Sequence, residues 1–154
     1  MYHLYMDSPV GLLEITANET AVTGLYFRTK RQQGESDTHS NLVCEQCKKQ
    51  LMEYFEGTRK YFDLKLEPAG TAFQKQVWKT LCEVPYGETR CYEEIAVMAG
   101  SPKACRAVGM ANNRNPISII VPCHRVIGKN GSMVGYGGGL EVKEALLKLE
   151  KTYK

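Results

Sequence analysis

Apolar and polar positions alternate through the opening of the chain. Tyr2 to Met6, Leu12 to Ala17 and Ala21 to Phe27 read as strands, with breaks at Ser8-Pro9-Val10-Gly11 and Asn18-Glu19-Thr20. That pattern predicts an antiparallel meander. Arg28 to Asn41 is polar and reads as a surface loop. The period then changes: Cys44, Cys47, Leu51, Tyr54 and Phe55 recur at helical spacing, which predicts an amphipathic helix over Leu42 to Glu56 ending at Gly57. Tyr61 to Leu66 reads as a further strand. Glu67-Pro68-Ala69-Gly70 interrupts the pattern, and the boundary between two domains, 1–69 and 70–154, is placed there.

The second domain is helical in its first half. Thr71 followed by Gln74 is a capping-box signature, and Phe73, Val77 and Leu81 share one face of the helix it starts. Val84-Pro85-Tyr86-Gly87 ends that helix. A shorter helix from about Cys91 to Ala99 stops at Gly100, and Ser101-Pro102 starts another, reaching about Asn112, with serine as cap and proline at the first helical position. Two short helices joined so tightly predict a helix-turn-helix. After Asn115-Pro116 comes an apolar run, Ile119-Ile120-Val121, of strand character, then a glycine-rich stretch from Gly128 to Gly139. A final helix carries Val142, Ala145, Leu146 and Leu149 as its expected buried stripe.

Composition narrows the classes. The 43% hydrophobic content of 154 residues is ample for packed cores. Met1 to Asp7 has no basic start followed by an apolar segment, so no export signal is expected, and no apolar run approaches the length of a membrane span. The six cysteines are then expected to stay reduced in a cytoplasmic protein, or a nuclear one if eukaryotic. Cys44 and Cys47 fall on the apolar helical face, which favours core packing over zinc, and no metal site is expected. The net charge is +3, and the segment from Gly87 to Gly131 alone carries six basic residues (Arg90, Lys103, Arg106, Arg114, Arg125, Lys129) against three acidic ones. A local basic surface fits an anionic partner.

The chemistry concentrates at Pro122-Cys123-His124-Arg125-Val126. An apolar stretch delivers one thiol through a proline into a loop, beside an imidazole and a guanidinium that could both lower its pKa. Such a thiol reads as a nucleophile. Successive side chains of an extended segment point to opposite sides, so His124 is expected to reach the thiol through a bridging water, its far nitrogen oriented by a carboxylate. Glu150 is the candidate, because an acid at a helix C-terminus opposes the helix dipole and calls for a specific partner. The helix before the thiol is rich in small residues, Ala104, Ala107, Gly109 and Ala111, among which Arg106 projects.

These motifs together resemble the O6-alkylguanine-DNA alkyltransferase family. The resemblance rests on Pro122 to Val126, preceded by Asn115-Pro116 and followed by Gly135-Tyr136-Gly137-Gly138-Gly139-Leu140. It extends to Phe73-Gln74, Val84-Pro85-Tyr86-Gly87 and Ser101 to Gly109, and more loosely to Glu53 to Gly57 and Phe62-Asp63-Leu64. It implies an α/β (α+β) protein with an N-terminal ribonuclease-H-like domain and a C-terminal domain bearing a winged-helix-like helix-turn-helix. It also implies a monomeric DNA-repair protein acting on duplex DNA that contains O6-alkylguanine. The alkyl group would pass irreversibly to Cys123, once per molecule, with no cofactor, no membrane and no obligate protein partner. Residue by residue, His124 and Glu150 would complete the relay, Tyr92 would donate to guanine N3, and Asn115 would brace the turn before the nucleophile. Arg106 would fill the gap left by a nucleotide flipped through the minor groove. Ala104, Ala107, Gly109, Arg114 and Arg125 are the other expected DNA contacts. Val126, Tyr136 and Gly137 would line the pocket.

One departure concerns the rim, where many relatives carry a serine, or an arginine followed by tryptophan, and this chain has Gly137-Gly138. A more open pocket mouth is expected. Two other functions remain open on sequence grounds. A cysteine hydrolase is disfavoured by adjacent Cys-His geometry, and a lesion-binding alkyltransferase-like or regulatory helix-turn-helix protein is disfavoured by the retained thiol.

Overall fold

A computed structural model describes residues 1–28, 39–133 and 135–154; the expected loop from Arg28 to Asn41 therefore falls largely outside the described residues. The chain divides into two compact units, Met1–Ala69 and Gly70–Lys154.

In the first unit, β1 (Tyr2–Met6), β2 (Leu12–Ala17) and β3 (Val22–Arg28) form the antiparallel meander that the alternation predicts. Leu4 lies opposite Ile15, and Ile15 opposite Leu25, so the apolar sets share one face. Helix α1 (Leu42–Phe55) lies against these strands, burying Cys44, Cys47, Leu51 and Tyr54. Its first turn is capped by the Asn41 side chain, which accepts from the Cys44 amide at 3.0 Å. The expected strand over Tyr61 to Leu66 reduces to a single parallel bridge between Leu66 and Val22. Buried Gln50 takes up the backbone groups there, bonding both the N–H and the C=O of Asp63. A side chain thus replaces the ladder.

In the second unit, α2 (Ala72–Leu81) carries the full Thr71–Gln74 capping box. The Trp78 indole N–H donates to the Ala111 carbonyl at 2.8 Å, tying α2 to α4 (Cys105–Asn113). Helix α3 (Tyr92–Met98) packs on α4 after the turn at Gly100, whose φ of +80° suits glycine. Helix α4 begins later than expected. Ser101 to Ala104 closes a separate turn, with the Ala104 amide bonded to the Ser101 carbonyl, and the helix starts at Cys105 without a side-chain cap.

The apolar run before the thiol is not a strand. The Ile120 amide bonds back to the Ser118 carbonyl, and the Cys123 amide to the Val121 carbonyl, each at 2.8 Å. These are tight three-residue turns centred on Ile119 and Pro122. Ile119 sits at φ +71°, a left-handed conformation that costs a β-branched residue about 1–3 kcal/mol. Ile117, Ile119, Ile120 and Val121 are all buried, and a continuous apolar run carries no period to tell a strand from coiled buried chain. Strand geometry resumes only at β5 (Val126–Ile127), which pairs in parallel with β4 (Arg90–Cys91). Helix α5 (Leu140–Thr152) closes the unit, burying Lys143, Leu146 and Glu150; of the expected stripe Leu146 is buried, while Val142 and Leu149 are half-buried. Ala145 is exposed, so the buried face is rotated from the one predicted and brings two charged residues inside.

Candidate active site

Cys123 opens a short 3₁₀ turn, Cys123–Arg125, immediately after Pro122. Its position depends on Asn115, whose amide donates to the Val121 carbonyl at 2.9 Å and accepts from the Ile117 amide at 3.0 Å. One side chain thereby closes the loop that carries the thiol, and its influence on Cys123 favours the thiolate. Tyr136 and Lys143 converge on the same sulfur, the first by its hydroxyl and the second by its charge.

The 3₁₀ turn sends the next two side chains into the interior. His124 Nε2 lies 2.6 Å from Glu150 Oε2. Arg125 grips the same carboxylate with Nε at 2.8 Å and a terminal nitrogen at 3.1 Å, and donates to the Val84 carbonyl at 2.8 Å. The Gly87 amide completes the cradle at 3.2 Å. Burial alone would raise the Glu150 pKa, but the His124 hydrogen bond, then the hydrogen bonds and charge of Arg125, hold it well below the carboxylate range. An ionised Glu150 accepts, so His124 Nε2 carries the ring proton. Nδ1 is then a basic lone pair, buried and without a hydrogen-bond partner among the described residues. Burial also lowers the His124 pKa, only partly opposed by Glu150, so the ring rests neutral.

Two expectations are corrected here. The thiol pKa is raised rather than lowered, pushed up by burial to about 11 against the pull of Asn115, Lys143 and Tyr136. The guanidinium expected to assist it is turned away onto Glu150. For the same reason Arg125, expected on a DNA-facing surface, is an interior residue with its donors committed.

The remaining predicted residues separate into two groups. Arg106, Ala107 and Arg114 are exposed on or just after α4, and Ala104 is half-buried at its start. Gly109 lies under the Tyr92 ring, where an added Cβ would meet ring carbons at 3.7 and 3.8 Å. Tyr92, at the first position of α3, is near enough to Cys123 to feel its charge. The Val126 carbonyl already accepts from Lys143 Nζ at 2.5 Å. Gly137 is exposed, and a Cβ there would meet nothing within 4 Å, so the rim has open space. Lys143 escaped the sequence reading because a lysine between Val142 and Glu144 looks like part of a solvated face. The available signal was its spacing, three residues before Leu146 and seven before Glu150. Charge favours an anionic partner at this end of the unit: no acidic residue occurs between Glu94 and Glu141. No cluster that could hold a metal ion, and no helix long and apolar enough to cross a membrane, occurs among the described residues.

Both units resemble known proteins. Residues 72–152 match the family described as 6-O-methylguanine DNA methyltransferase, DNA binding domain, and residues 1–68 match its ribonuclease-like domain. A methylated-DNA–protein-cysteine methyltransferase of Methanosarcina barkeri is 53% identical over 154 residues, covering 98% of each chain. The same-named protein of Mycobacterium leprae is 47% identical over 95% of this chain and 90% of its own. Among solved structures, Mycobacterium tuberculosis OGT in complex with DNA superposes with a TM-score of 0.88 at 46% identity, covering 99% of this chain and 94% of that one. With both domains matched, and with the buried thiol, imidazole and carboxylate held in the second as described, this chain belongs to the 6-O-methylguanine DNA methyltransferase family.

Proposed function

We propose that this protein repairs alkylated duplex DNA by taking the alkyl group of O6-alkylguanine onto Cys123, once and irreversibly. The observation that carries this reading is the Cys123–His124–Glu150 arrangement: a protonated thiol, a neutral imidazole with one buried lone pair, and an ionised carboxylate fixing the other ring nitrogen. Family membership and the DNA complex of the Mycobacterium tuberculosis relative support duplex DNA as the partner.

The thiol proton passes to His124 Nδ1, through water or directly, and Glu150 stabilises the imidazolium that forms. The thiolate sulfur attacks the alkyl carbon, the S–C bond forms as the C–O6 bond breaks, and the electron pair leaves with O6. Tyr92, donating to the purine, lets the base depart as a neutral species after it takes up a proton. The product thioether is stable to water, so no turnover follows. O6 is paired inside a duplex, and reaching it requires the nucleotide to be extruded, at a cost of about a few kcal/mol. Arg106, exposed on a helix of small residues, would occupy the vacated stack from the minor groove. All six cysteines are free, which fits the expected reducing, cytoplasmic setting.

The test is intact-mass analysis after incubation with duplex DNA containing O6-methylguanine. A permanent gain of one methyl group mapped to Cys123, absent in Cys123→Ser, is the expected result. Binding without a mass change would favour a lesion-binding protein, and a modification lost with time would favour a hydrolase.

A further inference from the structure

Met110 is the large apolar side chain that α4 leaves in solvent, at 58% exposure. A single exposed methionine is ordinary, and Met52 on α1, set among Lys48, Lys49, Glu53 and Glu56, is a solvated one. Met110 has a different setting. Arg106 stands one helical turn before it and Arg114 one turn after, each about 6 Å away along the axis, and exposed Ala107 and Asn113 complete the face. The opposite side of the helix holds the buried Val108, Ala111 and Asn112. None of the exposed residues is acidic, and no carboxylate follows in the sequence until Glu141. An apolar centre ringed by cationic and polar groups is the anatomy of a macromolecular contact.

The occupant follows from the charge and shape of that face. Guanidinium groups on both sides select a polyanion, and the small side chain of Ala107 leaves Met110 protruding between them. A duplex offers such a face something apolar to touch, because the walls of its minor groove are deoxyribose. Methionine is unbranched and adapts to irregular surfaces, and it is among the side chains that enter minor grooves. We infer that Met110 is a DNA-contacting residue: it packs on the deoxyribose wall of the minor groove while Arg106 reaches into the stack and Arg114 meets a phosphate. This rests on the duplex-DNA reading above and adds to it a contact that is neither ionic nor addressed to a base. Sugar contacts position a protein on DNA without reading its sequence, as a protein whose lesion occurs anywhere requires.

The experiment measures affinity of the full chain for two short undamaged duplexes, one all G·C and one rich in A·T, over a series of salt concentrations, with thermal unfolding alongside. Without a lesion, no alkyl transfer competes with binding. Met110→Ala should weaken binding by about fivefold on both duplexes, with the slope of log affinity against log salt unaltered, because no phosphate contact is lost. Arg114→Ala should instead reduce that slope by about 1. Met110→Leu should retain the affinity, and Met110→Gln, similar in length but polar, should lose it as alanine does. Melting temperatures should hold throughout, since both side chains are exposed. Unaltered binding by Met110→Ala, a salt slope that it reduces, or equal binding by the leucine and glutamine variants overturns the inference. So does an unaltered slope in Arg114→Ala, or a loss confined to the A·T-rich duplex, the mark of a thymine methyl touched in the major groove. Failure of the underlying reading is distinct: the unsubstituted protein would then bind neither duplex.

Discussion

His124 Nε2 and Glu150 Oε2 are 2.6 Å apart, in side chains that expose 0% and 1% of their surface. A pair so enclosed must settle its protonation within the protein, and here the carboxylate is also shared with Arg125 and the Gly87 amide. The network is thus a structural joint between α5 and the nucleophile turn as much as a relay.

Removing Glu150 should therefore damage folding before chemistry is considered. Glu150→Ala leaves Arg125 buried without its counter-charge, and loss of one partner of such a pair costs about 3–5 kcal/mol. Urea denaturation should show the lower midpoint. A loss below about 1 kcal/mol would mean the pair is solvated and not the joint described.

Stability should fall on both sides of neutrality. His124 is held neutral below its ordinary 6.5, and Glu150 is held ionised below its ordinary 4.5, so in both cases the unfolded chain takes up protons first. Their contributions are full above those values and are lost as pH falls from there through the folded ones. Cys123 works in the other direction. Its thiol ionises near 9.0 when unfolded but keeps its proton to about 11 when folded, so its contribution is lost as pH rises through that interval. Denaturation midpoints measured between about pH 4 and about pH 10 should trace a dome. A flat acid limb would contradict a neutral buried His124.

The transfer rate should depend on pH through the imidazole. With His124 neutral below pH 6.5, the wild-type single-turnover rate should be level across neutrality. In His124→Ala the base is gone, and the rate should be lower and climb with pH toward the thiol value of about 11. A profile unchanged by the substitution would remove His124 from the proton path.

Lys143 should matter through the sulfur. Its charge is one of the influences that oppose burial at Cys123, and its ammonium holds the Val126 carbonyl. Lys143→Met should raise the thiol pKa above about 11 and slow transfer at neutral pH, read by single-turnover rate against pH. The wild-type profile in this variant would show that the lysine only packs.

Arg106→Ala should separate DNA handling from chemistry. Transfer from duplex DNA should fall by at least about tenfold, while reaction with free O6-benzylguanine, which needs no flipping, should be preserved. Equal losses on both substrates would argue against insertion into the stack.

The open space at Gly137 should show in adduct range. A Cβ there meets nothing within 4 Å, so benzyl and methyl adducts should react at comparable rates in the native protein. Gly137→Trp should shift preference toward methyl. A strong native preference for methyl would mean the rim closes by other means.

Much of this protein was legible before any coordinates. Period-two alternation built the meander because one sheet face must be buried, and period-3.6 patterning with Thr71 and Gln74 located α1 and α2. The thiol, its histidine and Glu150 were also readable, because chemistry demands those residue types near one another. What local pattern could not reveal depended on neighbours distant in the chain. The apolar run at Ile119 to Val121 became turns because Asn115 supplies the backbone partners that a strand would have supplied. The buried face of α5 took in Lys143 and Glu150 because β5 and the 3₁₀ turn offered a carbonyl and counter-charges to receive them. Arg125 went inward and left the thiol protonated for the same reason: burial and pairing of charge are properties of the packed interior, where solvent is excluded and distant segments meet.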